Sequence, residues 1–230
     1  MLDIKHLCGG DRTDHFYHWF LSARPEPAAQ LVRHIHAATL GMHERMKSVG
    51  GGIVTFKHKG SPDWRVFLGH EKWTYNHWVI LGIMSDSGGG HRRRRYRYGD
   101  QNRMWGSVRK TWASYLASLQ EDVPEPFVEF GALILRRLAN DPAFVHEFGE
   151  AILYSLCEEG TEPGKYLLRL LISAGPGYKP LAEYMGESEL RLQQITSQQG
   201  HCPVKELIDV VNALRKCQRQ RLKSVEALKE

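Results

Sequence analysis

The chain has 230 residues, of which 42% are hydrophobic and 25% are charged, and its formal net charge is +5. This composition is that of an ordinary folded protein with one large or two modest domains, and it excludes disordered and fibrous chains. No stretch is apolar enough to cross a bilayer, and the N-terminus lacks the apolar segment of a signal peptide. We therefore expect a cytoplasmic protein that does not bind membranes.

The charge is unevenly distributed along the chain. Residues 1–120 carry 18 Lys and Arg against 9 Asp and Glu, whereas residues 121–230 carry 13 against 17. All six tryptophans and ten of the twelve histidines also fall within the first 112 residues. Excess positive charge combined with aromatic side chains is typical of a surface that neutralises phosphates and stacks on bases. Nucleic acid, either DNA or RNA, is therefore the expected partner.

Apolar residues of the first half recur first at helical and then at strand spacing. The helical pattern predicts a helix over 27–48 that ends at the glycines 50–52. Strands are expected over 53–59, 64–68 and 72–81. The simplest packing of these elements is a small antiparallel sheet covered by the 27–48 helix.

Helical spacing returns after the sheet. Its apolar positions are Trp105, Val108, Trp112, Tyr115, Leu116 and Leu119. Because these side chains share one helical face, Trp105 and Trp112 are predicted to be core residues rather than stacking platforms.

A polar segment over 121–126 contains two prolines and predicts a linker between two domains. The first domain, 1–120, is expected to be basic, aromatic-rich and α+β, and the second, 127–230, to be all-helical. Helices are expected over 127–139, 142–158, 164–173, 179–185, 188–197 and 203–226. Asp141 is predicted to cap the second of these, with Pro142 at its first position.

One segment of the helical half has a characteristic spacing. Ala182 is followed four residues later by Gly186 and ten residues later by Leu192. A helix-turn-helix requires this arrangement, because the small residue permits a close crossing, the glycine makes the turn and the later apolar residue closes the packing.

The segment 165–216 resembles the Cro/C1-type (XRE-like) helix-turn-helix domain, including a Gly-x-x-Pro lead into the following helix. The resemblance implies that 188–197 is a DNA recognition helix. Its candidate contact residues are Ser188, Glu189, Arg191, Gln193 and Gln194.

The basic run around residues 91–98, which is expected to lie on a loop or a frayed helix end, is the second candidate site. Five arginines in six residues repel one another unless an anion compensates them, and two tyrosines interleave as stacking groups, so a nucleic-acid backbone is the expected ligand. The candidate residues of this segment and the helix after it are Arg92, Arg93, Arg94, Arg95, Tyr96, Arg97, Tyr98, Arg103, Arg109 and Lys110.

Other chemistries are less well supported by the sequence. His34 and His36 superficially resemble the metal-binding pair of the HUH nickases, but they lie in a helical pattern, where residues two apart diverge. His15 with His18, or His70 with His77, would suit a small histidine-dependent nuclease. The cysteines are scattered, which favours reduced structural thiols. We expect no catalytic residues, no metal and no cofactor.

The resulting hypothesis is a non-catalytic nucleic-acid-binding protein that engages DNA through the arginine segment and the helix-turn-helix. One alternative is a DNA- or RNA-gripping subunit of a ribonucleoprotein complex, such as a CRISPR-type effector. The other alternative is the nuclease. A homodimer or other protein subunits remain possible partners under the first two hypotheses.

Overall fold

The computed structural model describes residues 3–7, 15–40, 46–58, 64–70, 77–85, 94–119, 127–197 and 200–227. In chain order the elements are β1 (Asp3–Leu7), α1 (His15–Ser22), α2 (Pro25–Thr39), β2 (Lys47–Gly50), β3 (Ile53–His58), β4 (Trp64–His70), β5 (His77–Ser85), α3 (Arg94–Ser118), β6 (Phe127–Glu129), α4 (Phe130–Asn140), α5 (Pro142–Tyr154), a π-helical turn (Ser155–Glu159), α6 (Thr161–Ala174), α7 (Tyr178–Met185), α8 (Glu189–Thr196) and α9 (Val204–Ala227). The expected α+β class is confirmed.

The elements form two compact units, and neither is continuous in sequence. The first comprises Met1–Ala23 and Gly41–Leu133, and the second comprises Arg24–Leu40 and Ile134–Glu230. This division differs from the predicted one, because residues 24–40 fold with the C-terminal helices and residues 127–133 fold with the sheet. The predicted linker over 121–126 lies outside the described residues.

A six-stranded sheet, in the order β2-β3-β4-β5-β1-β6, organises the first unit. The expectation of a purely antiparallel sheet is wrong, because β1 pairs in parallel with β5. The strand β6 pairs antiparallel with β1, so the first three residues of the helix predicted over 127–139 are a strand instead. Both pairings join segments that are far apart in sequence and have no local signal.

One face of the sheet packs on α3. Ile53, Phe67, Val79 and Leu81 of the strands form a single buried cluster with Val108, Trp112 and Tyr115 of the helix. The alternation of β5 therefore places Val79 and Leu81 on one face. Leu116 and Leu119, which were expected to share the buried face of α3, are 37% and 41% exposed.

Aromatic side chains of α1 pack on the first unit from another direction. Phe16 lies 6.1 Å from the ring of His6 on β1 and 5.5 Å from the ring of Phe130. Phe20 makes a similar edge contact with Phe130 at 5.5 Å. Since His6 pairs with Ile80 and not with Val79, this cluster lies on the sheet face opposite α3.

The helix predicted over 27–48 is shorter than expected and packs elsewhere. It ends at Thr39, and residues 47–50 form β2 instead. The buried face of α2 contacts α5 and α6 within the second unit, so the sheet is covered by α3 rather than by this helix. Arg33 of α2 forms a buried ion pair with Glu159 of the π-helical turn and lies 4.1 Å from the ring centre of Tyr154.

The second unit is otherwise close to its predicted organisation. Asp141 caps α5, since its carboxylate accepts a hydrogen bond of 2.9 Å from the Phe144 N–H, and Pro142 is the first helical residue. Between α7 and α8, Gly186 has a left-handed conformation with φ of 70°. Ala182 and Leu192 are buried on the two sides of this turn. Among the residues that the structure describes, no helix is both long and apolar enough to cross a membrane.

Candidate nucleic-acid interface

Trp112 fixes helix α3 against the sheet. Its indole N–H donates a hydrogen bond of 2.8 Å to the carbonyl of Gly51, in the tight turn between β2 and β3. Its ring also lies over Gly69 of β4, where an added Cβ would meet the ring at 2.3 Å. A side chain at position 69 would therefore displace the indole. Gly69 thus lets the helix and the strand approach closely, whereas Gly51 permits the turn, where its φ is 63°.

Two turns earlier on the same helix, Trp105 lies at the rim of this core. Its indole forms an edge-to-face pair with the buried ring of Phe67, with the ring centres 5.1 Å apart and an interplanar angle of 72°. The residue is only half-buried. The prediction that Trp105 and Trp112 are both core residues is therefore confirmed for Trp112 and only partly met by Trp105.

The accessible part of Trp105 faces an open depression of about 590 Å³. Val49 of β2 forms the opposite wall, and Gly106 and Arg109 of α3 complete the lining. The guanidinium carbon of Arg109 lies 6.0 Å from the Trp105 ring centre, within reach of a cation–π interaction. A Cβ added to Gly106 would meet no atom within 4 Å, so the depression is open above this residue.

The segments that form the two walls carry positive charge only. Residues 46–58 and 101–119 contain Lys47, Lys57, Arg103, Arg109 and Lys110, and they contain no Asp or Glu. Lys47, Arg109 and Lys110 are exposed to solvent. Because neither segment contains a carboxylate, both contribute only positive charge next to the depression.

The arginine run leads directly into this helix. Arg94, Arg95, Tyr96, Arg97 and Tyr98 are in the first turns of α3, where a loop or a frayed helix end was expected. Their side chains and that of Arg103 lie outside what the structure describes, as do Arg92 and Arg93 entirely. From Arg94 to Ser118 the helix carries six basic residues and one acidic residue, so one continuous helix joins the run to the depression.

The candidate contact residues of α8 are engaged within the second unit. The Ser188 hydroxyl caps the helix by accepting a hydrogen bond of 3.1 Å from the Arg191 N–H. The Arg191 guanidinium forms an ion pair of 2.9 Å with Glu206 of α9. The Gln193 amide donates to Glu189 at 3.1 Å, whereas Gln194 is exposed to solvent. The exposed face of α8 thus presents Arg191 already paired with a carboxylate.

Comparison of the chain with protein-family models, with curated proteins and with solved structures finds no match.

In each histidine pair considered for catalysis, the structure describes the side chain of one member only. His18 is exposed on α1, and His70 stacks on Trp78 with the ring centres 4.3 Å apart. The side chains of His15 and His77 lie outside the described part of the chain. Within the described residues, no group of three or more His, Cys, Asp or Glu has the arrangement of a metal site.

His34 and His36 lie on helix α2, as their helical pattern predicted, and His36 is buried against Tyr166 with the ring centres 4.1 Å apart. Burial, and to a lesser extent the nearby Arg169, lower the pKa of His36 to about 3. The imidazole is therefore neutral at physiological pH. For the thiols, burial and then the neighbouring Glu206 raise the pKa of Cys202 to about 11, so this cysteine is protonated and unreactive.

One sequence signal pointed to the depression, of whose lining only Arg109 was among the predicted site residues. Gly106 interrupts an otherwise helical pattern, and a glycine inside a helix costs stability unless packing or function requires it. Val49 had no such signal, because it lies between the predicted helix over 27–48 and the glycines 50–52. The wall that it provides exists only because residues 47–50 form an edge strand.

Proposed function

We propose that this protein binds nucleic acid through the basic surface of α3 and performs no chemistry on it. One observation carries the proposal. A continuous 25-residue helix with six basic residues and one acidic residue is held rigidly on a sheet by Trp112 and leads from the arginine run to an aromatic depression. Such a surface attracts phosphates along the helix and offers an aromatic ring at its end.

The experiment is a salt titration of binding to a labelled oligonucleotide. Replacing Arg92–Arg95 with alanine should weaken binding to every sequence. It should also reduce the slope of log K against log salt by about 0.9 for each duplex phosphate contact that is lost, or about 0.7 for a single strand. A matched control replaces Arg24 and Arg136, which are exposed arginines of the second unit. An unchanged slope in the α3 variant would contradict the proposal.

The absence of chemistry is tested separately. Labelled RNA and DNA incubated with the protein, with and without EDTA, should be recovered intact. Cleavage that EDTA does not stop, and that His18→Ala or His70→Ala abolishes, would instead support a metal-free histidine nuclease.

A second candidate function is DNA reading by α8, as the resemblance to Cro/C1-type domains implies. Favouring it, Gly186 makes a left-handed turn between two short helices, with Ala182 and Leu192 buried beside it. The ion pair between Arg191 and Glu206 opposes it, because the guanidinium would have to leave a carboxylate before it could contact a base.

This ion pair allows a direct test of the second candidate. If α8 enters a major groove, Glu206→Gln releases Arg191 and should strengthen DNA binding, whereas Arg191→Ala and Gln194→Ala should alter sequence preference by about 1–3 kcal/mol per contact. Gly186→Val should destabilise the second unit in either case, by about 1–3 kcal/mol, since its φ is 70°. If all three surface variants bind DNA as the wild type does, α7 and α8 are structural only.

A further inference from the structure

The depression beside α3 has features that a purely electrostatic surface does not need. Its volume of about 590 Å³ is within the range of small-ligand clefts. Its walls combine an apolar side chain, Val49, with the half-buried indole of Trp105 and the side chain of Arg109. Phosphate binding alone would be served by the cations and would not require an open aromatic surface.

We propose that this depression holds one unpaired nucleobase against the Trp105 indole, so that the protein binds single-stranded nucleic acid in preference to duplex. The inference rests on the proposed function and adds the class of ligand to it. A base within a duplex is covered on both faces by its neighbours, so only an unpaired or extruded base can stack on a protein ring. The ligand is the base itself, and it can come from DNA or from RNA.

The geometry suits stacking because the indole is already held in position. Phe67, which is only 1% exposed, contacts the Trp105 ring at a 72° angle and fixes its plane. A ring ordered before binding loses little side-chain freedom when a base stacks on it. Arg109 lies on the rim at 6.0 Å from the same ring, where it can contact the phosphate of the bound nucleotide or cover its base.

The charge of the surroundings favours a nucleotide over an apolar peptide as the occupant. Lys47, Arg109 and Lys110 are exposed around the depression, and neither wall segment contains a carboxylate. A nucleotide brings both an aromatic base and an anion, and it therefore matches both features at once. Binding of an uncharged or basic peptide would leave these cations without a partner.

Gly106 provides the decisive variant. Gly106→Leu should fill the depression, because a Cβ at this position enters space with no atom within 4 Å. The substitution should preserve the fold, since leucine is a better helix former than glycine. Ser107→Leu is the matched control, because it adds the same side chain to the next position of α3, which is exposed and does not line the depression.

Binding is measured by fluorescence anisotropy with labelled oligo(dT), oligo(U), a DNA duplex and heparin as a polyanion without bases. Gly106→Leu should weaken binding of both single strands by roughly 5- to 150-fold, the equivalent of about 1–3 kcal/mol of stacking on one base. Its affinity for the duplex and for heparin should not change, and Ser107→Leu should bind all four ligands as the wild type does. An equal effect on oligo(dT) and oligo(U) is expected because the base is the ligand.

The two proposals fail in different ways. If the wild type binds none of the four ligands, the proposed function is wrong. If the Arg92–Arg95 variant loses affinity for all four while Gly106→Leu binds single strands as the wild type does, only the base site is wrong. Equal weakening of single-strand and duplex binding by Gly106→Leu would also overturn the base site. So would the finding that Gly106→Leu abolishes binding of a peptide in the depression but changes the binding of no nucleotide.

Discussion

The contact between Gly69 and Trp112 predicts that a single methyl group will destabilise the first unit. A Cβ at position 69 would lie 2.3 Å from Cε3 and 2.4 Å from Cζ3 of the indole, whereas carbon atoms in contact are normally about 3.5–4.0 Å apart. Overpacking of this kind costs about 1–3 kcal/mol. Replacing a strand glycine with alanine would otherwise stabilise the chain by roughly 0.5–1 kcal/mol. We therefore expect Gly69→Ala to lower the free energy of unfolding by about 1–2 kcal/mol.

Trp112→Leu separates this clash from other effects of the alanine. As a single variant, Trp112→Leu should lower the free energy of unfolding by up to about 3–5 kcal/mol. The substitution removes a buried indole and the hydrogen bond of that indole to the Gly51 carbonyl. It also removes the ring atoms that the new methyl group would meet. The double variant should then be more stable than the sum of the two single effects predicts, with a coupling energy of about 1–2 kcal/mol.

The assay is urea unfolding followed by tryptophan fluorescence, because all six tryptophans belong to the first unit. Gly106→Ala is the internal control, since its Cβ meets nothing within 4 Å on an exposed helical position, and it should stabilise by roughly 0.5–1 kcal/mol. Gly69→Ala and Gly106→Ala thus have opposite expected signs. If both raise the urea midpoint, Trp112 does not lie over Gly69, and the support proposed for α3 is wrong.

Two predictions concern the second unit. His36 should make the stability of the second unit depend on pH. Its pKa is lowered from 6.5 to about 3 in the folded state. Between these two pH values only the unfolded chain binds a proton at His36. Stability should fall by about 1.4 kcal/mol per pH unit as the pH drops through that window, and His36→Phe should remove this part of the slope in urea titrations followed by circular dichroism. Asp141→Ala should cost about 0.5–2 kcal/mol in thermal melts through loss of the cap on the Phe144 N–H. Asp141→Asn keeps the capping oxygen but not the charge that pairs with Arg137, so equal losses in both variants would assign the effect to the ion pair.

The helices of the second unit were predictable because their boundaries are encoded locally. Asp141 and Pro142 mark the start of α5, and Gly186 marks the end of α7. Each signal depends on the backbone preference or hydrogen bonding of one or two adjacent residues, and no distant segment competes with it. Strands β3 and β4 were recognised for a similar reason, since their alternation is strong and they pair with each other.

The remaining features depend on segments that meet only in the folded chain. β1 and β6 are short, and their pairing joins Lys5 to Glu129, which leaves no pattern within either segment. The arginine run and Arg109 were named as candidate site residues from the sequence, whereas Trp105 was predicted to be a core residue. The depression could not be predicted, because it requires that Trp105 be half-exposed and that the segment at Val49 form an edge strand.

The interleaving of the two units also has a consequence for the order in which the chain folds. Arg33 on α2 pairs with Glu159, 126 residues further along the chain. At ribosomal rates of 5–20 residues per second, α2 waits roughly 6–25 s for this partner, with its apolar face exposed. Strand β1 likewise cannot pair with β6 until residues 127–129 have been synthesised. Neither unit can therefore be completed while only the first hundred residues have been made. A fragment that begins at residue 127 lacks α2, and a fragment that ends at residue 120 lacks β6, so each should aggregate more readily than the whole chain.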